Sequence, residues 1–305
     1  MALYRKIRGM PLVLLVLLQL LINSVYAQDL KNRTEEMYHL GKVVIANQPL
    51  PDKVFEAQKR KFLVSVTFFE KGTENFITNS LGTGFVSEVP GIILTARHVL
   101  KEALTEMEVT KQERIKSNPK FDYDYMFMGT IITDAVWINF PLSLVATGEL
   151  GTFKDVMALR MGPEVMNRAY EEGDIVNSNP YKMLLRTSEF ADAEVGETAY
   201  ITGFAPIFGQ YANKNNKEIP VYIDMINYTF AAEVTAKITD MPVNKADVKV
   251  LYRLRDGGEP GFSGGMVLNG KGKVVGMTVS MASQNFIYVI SSKDIKQFLK
   301  DNHLK

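Results

Sequence analysis

From residue 62 onward the chain runs in short apolar stretches of strand length: Phe62 to Phe69, Phe76 to Thr78, Thr83 to Ser87 and Gly91 to Thr95. Turn residues separate them, and repeated runs of this length with glycine and proline punctuation predict antiparallel strands closed into a barrel or sandwich. The preceding stretch, 28–60, is mixed and charged. Glu35, Glu36, Met37, Leu40 and Val43 predict a short amphipathic helix there, ended by Pro49 and Pro51, so this stretch reads as a segment packed on the outside of the main domain.

The apolar stretch at the very start has a different character. Arg5, Lys6 and Arg8 precede an apolar run from Pro11 to Ile22, and Val25-Tyr26-Ala27 offers small residues at the minus-three and minus-one positions of a cleavage site. The run is shorter than the roughly 20 residues a membrane span needs. Residues 1–27 therefore read as a signal peptide cleaved after Ala27, with a secreted or periplasmic mature protein and no stable membrane insertion afterwards. The chain has no cysteine, which excludes disulfides although an exported chain could carry them. With 35 basic and 34 acidic residues, the net charge of +1 offers no polyanion-binding surface, so no nucleic-acid partner is expected. At 305 residues and 46% hydrophobic content, the chain is long enough to bury one large core or two small ones.

Chemistry concentrates in three places. Asp256-Gly-Gly-Glu-Pro-Gly-Phe-Ser-Gly-Gly265 sets one serine among five glycines directly after the apolar run Val248 to Leu254. Such a turn adopts backbone angles closed to other residues and lets a substrate carbonyl approach the main chain. Ser263 is a candidate nucleophile there, and the N–H groups of Gly261 and Ser263 are the pair that could face an oxyanion. A glycine-rich hairpin that happens to contain serine would look the same on these residues alone.

Of the three histidines, His39 lies in the N-terminal segment and His303 at the chain end, which leaves His98 inside the patterned region. A neutral imidazole is suited to take a hydroxyl proton near neutral pH; a histidine capping a helix that begins near Ala96 is the other reading. The carboxylate that would orient such an imidazole is Asp155, which leads straight into the apolar strand Val-Met-Ala-Leu159. Asp122 and Asp134 compete in the same stretch without so clear a strand behind them. With the histidines scattered and no cysteine, no metal set is visible, and no cofactor is expected.

The order His98, Asp155, Ser263 and the residues around each resemble the trypsin-like, chymotrypsin-fold serine peptidases, and among them the cysteine-free bacterial type. Gly82-Thr-Gly-Phe85 is similar to the family's glycine-containing strand before the histidine. Thr95-Ala-Arg-His98, Asp155-Val-Met-Ala-Leu159 and Gly261-Phe-Ser-Gly-Gly265 resemble its histidine, aspartate and serine motifs. Gly196 to Gly203 resembles the strand that opens the second barrel, and the likeness covers roughly residues 61 to 299. It implies an all-β fold of two six-stranded antiparallel barrels with a C-terminal helix, over which Ile295, Phe298 and Leu299 fall at helical spacing. The divisions it implies are 61–165 for the first barrel, 166–291 for the second and 292–305 for the helix, with no patterned stretch left for an appended peptide-binding domain.

The resemblance also implies a serine endopeptidase acting on a peptide or protein substrate. His98 and Asp155 would come from the first barrel and Ser263 from the second, with Gly261 and Ser263 forming the oxyanion hole. The substrate pocket would be lined by Gly257, Met277, Thr278, Val279, Ser280 and Phe286. Gly257 stands where trypsins place a buried acid, so small or medium aliphatic side chains are expected there, although Asp256 and Glu259 lie close in sequence.

Phe262 precedes the nucleophile where the animal enzymes carry an aspartate, and Met266 stands where many members have proline. Lys111 to Arg114 and Phe121 to Phe127 read as an inserted connection, as does the polar stretch Tyr211 to Lys217. Two other classes stay open. A catalytically inactive homologue acting as a binding or scaffold protein would normally have lost a triad residue, and this chain keeps all three. An esterase of the Gly-x-Ser-x-Gly type would alternate strands with helices and place its histidine after the serine.

Overall fold

The computed structural model describes residues 44–46, 48–73, 76–132, 137–148, 154–170, 180–212, 218–238, 251–255, 261–283 and 286–304. The expected export signal, its cleavage site and the expected helix over Glu35 to Val43 lie outside these residues, as do Asp134, Gly257 and the polar stretch from residue 213 to 217. In chain order, strand β1 (Val44–Ala46) and helix α1 (Asp52–Gln58) precede β2 (Lys61–Glu70), β3 (Phe76–Val86) and β4 (Ile92–Ala96). Helix α2 (Arg97–Arg114), β5 (Tyr123–Ile132), β6 (Trp137–Thr147), β7 (Val156–Met161) and helix α3 (Pro163–Tyr170) follow. After a 3-10 helix (Pro180–Leu185) come β8 (Thr198–Ala212), β9 (Glu218–Ile238), β10 (Leu251–Arg255), β11 (Met266–Asn269), β12 (Val274–Ser283), β13 (Phe286–Ser291) and helix α4 (Ser292–Asp301).

Strands β2 to β7 close into a six-stranded antiparallel barrel in the order β2-β3-β4-β7-β6-β5. The second ring runs β9-β10-β13-β12-β11-β8 and closes through the β8–β9 pairing. The expected two-barrel, all-β fold with a terminal helix is therefore present. Strand β1 is an addition: it runs parallel to β9 along Asn227 to Thr229, so the N-terminal segment joins the second barrel before the chain enters the first.

Alternation along the second-barrel strands explains how one ring serves two cores. Ile201, Val234, Leu254, Val267, Val275, Ile287 and Val289 point inward and fill the barrel with Phe262. Met266, Leu268, Met277, Val279 and Ile290 point outward and join the first barrel's core around Phe62, Val64, Phe85, Leu94 and Leu159. Helix α4 docks there as its spacing predicts, burying Ile295, Phe298 and Leu299, with Ser291 capping its start by accepting from the Asp294 N–H at 3.2 Å.

Two expectations need correction. The N-terminal segment is not wholly peripheral, because Leu50 and the α1 residues Val54, Phe55 and Ala57 are buried in the common core. The charged stretch after His98 is not an inserted loop. It is the 18-residue helix α2, whose charges face solvent while Val99, Leu100, Ala103 and Met107 form a narrow buried stripe; Phe121 to Phe127 then leads into β5.

Candidate active site

The register of β4 against β7 pairs Ala96 with Val156, so the end of one strand lies beside the start of the other. Two residues 57 positions apart meet for that reason. The Asp155 carbonyl accepts from the Arg97 N–H at 3.2 Å, and its carboxylate Oδ1 accepts from the His98 N–H at 3.0 Å. Oδ2 lies 2.7 Å from His98 Nδ1. Both oxygens are thus engaged at the N-terminus of α2, where the helix dipole and unsatisfied N–H groups favour a negative charge. Asp155 is buried, while 19% of the His98 side chain remains accessible. A carboxylate at Nδ1 holds the ring proton on that nitrogen and leaves the Nε2 lone pair free to accept a proton. His98 thus sits in the first turn of α2, after its N-cap Ala96, and is paired with an acid.

Asp122, one of the competing acids, is committed elsewhere. It lies 2.8 Å from Lys111 and 2.7 Å from Lys71, and those hydrogen bonds hold its carboxyl well below the usual carboxylate range.

The Ser263 turn belongs to the second barrel but is fastened to the first. The Thr83 N–H on β3 donates to the Ser263 carbonyl at 3.0 Å, and the Thr83 hydroxyl donates to the Gly261 carbonyl at 2.9 Å. Gly264, at φ 83°, packs so closely that a Cβ there would run into the Thr83 carbonyl and the Thr95 hydroxyl and lie 2.8 Å from the Ala96 nitrogen. Gly82 is similarly wedged: a Cβ on it would lie 2.5 Å from a Val99 methyl and 3.1 Å from the Ser263 carbonyl. The serine turn therefore presses on the strand-to-helix junction that carries His98.

The turn is also held from its own barrel. The Thr278 hydroxyl donates to the Phe262 carbonyl and lies 3.1 Å from the Gly265 carbonyl, the Thr278 carbonyl accepts from the Gly264 N–H at 2.8 Å, and the Gly265 N–H donates to the Phe262 carbonyl at 2.7 Å. Phe262 is buried between Tyr228 and Phe230, at ring distances of 6.0 and 5.7 Å, and lies against Gly203, where a Cβ would be 2.7 Å from the ring. Packing, not charge, seats the residue before the serine. Among the described residues, the N–H groups of Gly261 and Ser263 donate to no protein acceptor.

The residues expected to line a substrate pocket are placed variously. Met277 and Val279 are buried in the common core, and Thr278 is occupied by the serine turn. Phe286, on β13, is half-buried under the Arg253 guanidinium, 3.7 Å from the ring centre, and Ser280 lies on β12 with Met277 to Val279. Thr83 is the residue that the sequence reading passed over. Its signal is a hydroxyl held between Gly82 and Gly84, two positions where a Cβ would clash with neighbouring strands or helix. Among the described residues, no cluster of three His, Asp or Glu side chains could hold a metal ion, and no helix is long and apolar enough to cross a membrane.

No curated protein matches the chain. Among solved structures, it is similar to the crystal structure of the Rv3671c protease in its inactive form, at 14% identity and a TM-score of 0.46, over 85% of this chain and 98% of that one. The family described as the trypsin-like peptidase domain matches residues 82–277.

Proposed function

The chain belongs to the trypsin-like peptidase family, and on that premise we propose that it is an exported serine endopeptidase that hydrolyses polypeptides through His98, Asp155 and Ser263. One observation carries the reading. Asp155 holds Nδ1 of His98 at 2.7 Å while the Ser263 turn is hydrogen-bonded to Thr83 on β3, the strand paired with the one leading to that histidine. Ser263 Oγ attacks the scissile carbonyl as His98 Nε2 takes its proton, and the oxygen that becomes negative lies at the N–H groups of Gly261 and Ser263. His98 then protonates the leaving amine. Water, activated by the same imidazole, releases the acyl group from Ser263, so one group serves as base and acid in turn. Asp155 stays ionised throughout, holding the tautomer and stabilising the imidazolium.

The mature enzyme starts after the proposed signal, near Gln28, in a secreted or periplasmic setting. Ser263→Ala and His98→Ala each lower ester and peptide turnover by roughly 10⁴-fold or more while the melting transition stays cooperative, because the triad acts as a unit. Wild-type rates in either variant would reject the triad, and a folded wild-type protein without turnover would favour an inactive, binding member of the family.

A further inference from the structure

Thr83 is fully buried, and every polar group it owns is spent on the serine turn or on the strands beside it. Its N–H holds the Ser263 carbonyl and its hydroxyl holds the Gly261 carbonyl. Its own carbonyl accepts from the Thr95 hydroxyl at 2.8 Å, three residues before His98. The Thr83 hydroxyl also accepts from the Phe204 N–H at 3.0 Å. That amide lies on the β8 edge beyond the last pairing with β11, Val267 to Ile201, so Thr83 supplies the acceptor that the ladder no longer offers. A residue of the first barrel thus closes the sheet edge of the second and grips the turn that carries the nucleophile.

The successive peptide planes of the turn divide their support unevenly. The plane between Phe262 and Ser263, which carries the Ser263 N–H, is held by Thr278 and by the Gly265 N–H. The next plane is held at both its ends, by the Thr83 N–H and by the Thr278 carbonyl. The plane between Gly261 and Phe262 has only the Thr83 hydroxyl among the described residues. Gly261 sits at φ 96°, so its N–H is linked to that plane through the two backbone dihedrals of a residue with no side chain to resist turning.

We infer that Thr83 is a positioning residue for the oxyanion hole, its buried hydroxyl fixing the Gly261 carbonyl so that the Gly261 N–H stays aimed at the oxygen that becomes negative. The inference rests on the peptidase reading. It assigns Thr83 no contact with substrate and makes the hole competent only when the two barrels are docked through this side chain.

The test compares Thr83→Val, which keeps the shape and removes the hydroxyl, with Thr83→Ser, which keeps the hydroxyl. Burst titration with a p-nitrophenyl ester counts competent sites, and kcat and KM are expressed per titrated site, so partial unfolding does not masquerade as a catalytic defect. Thr83→Val is expected to lose roughly 10- to 100-fold in kcat per site with KM within about threefold, less than outright deletion of an oxyanion donor. A peptide aldehyde, whose adduct places an oxyanion in the hole, weakens by a similar factor, and Thr83→Ser stays within about threefold of wild type. A valine variant with wild-type kcat per site, or a serine variant that falls as far as valine, overturns the role of the hydroxyl while the peptidase reading stands. Wild-type protein that gives neither burst nor turnover removes the peptidase reading and this inference with it.

Discussion

Replacing Asp155 with asparagine changes one atom of the candidate triad and should silence it. The carboxylate uses both oxygens: Oδ1 accepts from the His98 N–H at 3.0 Å and Oδ2 faces His98 Nδ1 at 2.7 Å. An asparagine has only one acceptor oxygen. If that oxygen serves the backbone N–H, the amide NH₂ faces Nδ1 and donates to it, which forces the ring proton onto Nε2 and leaves no lone pair toward Ser263. If the amide turns over, NH₂ opposes a backbone N–H at about the same distance in a buried site, and a donor is left unsatisfied at a cost of roughly 1–3 kcal/mol. The wrong tautomer therefore prevails. Exchanging the acid of such a triad for its amide costs about 10⁴ in kcat, or about 5.4 kcal/mol of transition-state stabilisation. The assay is ester hydrolysis by the purified variant beside a thermal melt. The loss should fall on kcat with KM nearly unchanged, since Asp155 touches no substrate, and the melt should move only modestly. A folded Asp155→Asn protein within tenfold of wild-type kcat would refute the tautomer argument.

Gly264→Ala forces a Cβ at φ 83° into the Thr83 carbonyl and the Thr95 hydroxyl, so a stability loss on the order of 3 kcal/mol is expected, and an unchanged denaturation midpoint would show that the turn is not docked as described. Lys61 is buried with its Nζ 3.3 Å from the Tyr228 carbonyl and 5.4 Å from the centre of the Phe204 ring, and burial pushes its pKa well below the ordinary lysine value. The unfolded chain then binds the extra proton between that lowered value and the ordinary one near 10.4, so the wild-type protein loses stability as pH falls through this window, by at most about 1.4 kcal/mol per unit. Lys61→Met lacks that dependence; its stability advantage should widen from about pH 10 downward in denaturant titrations, and a gap constant with pH would contradict the burial of a neutral amine. Phe262 carries no charge to receive a buried N-terminal ammonium, so protein starting at Gln28 and protein with a few added residues should hydrolyse the same ester equally well. A hundredfold silencing by the extension, about 2.7 kcal/mol, would show that the free N-terminus sets the turn after all.

The residues proposed for chemistry were legible because each sits in a short local pattern. Thr95 to His98 marks a strand running into a helix, Asp155 an acid at a strand start, and Gly261 to Gly265 a turn only glycine can make. What joins them was not legible, because it is made across the fold. The Thr83 hydroxyl meets Gly261 and Phe204 across separations of 178 and 121 residues, and no periodicity reports such a contact. Helix α2 is hidden for the opposite reason: its buried stripe is only Val99, Leu100, Ala103 and Met107 out of 18 residues, so charge dominates its composition. Lys61 is the last of three basic residues after α1, and nothing in that local run reports that the second barrel closes over it. The three-residue β1 is too short for any pattern, and its parallel pairing depends wholly on the presence of β9.

Reaction of the purified mature protein with a fluorophosphonate probe tests the central claim most directly, since phosphonylation needs a serine made nucleophilic by a base beside an oxyanion hole. The account predicts one modification per chain, mapping by mass spectrometry to Ser263 and absent from Ser263→Ala and His98→Ala. An unlabelled, folded wild-type protein, or a label on any other residue, would contradict it.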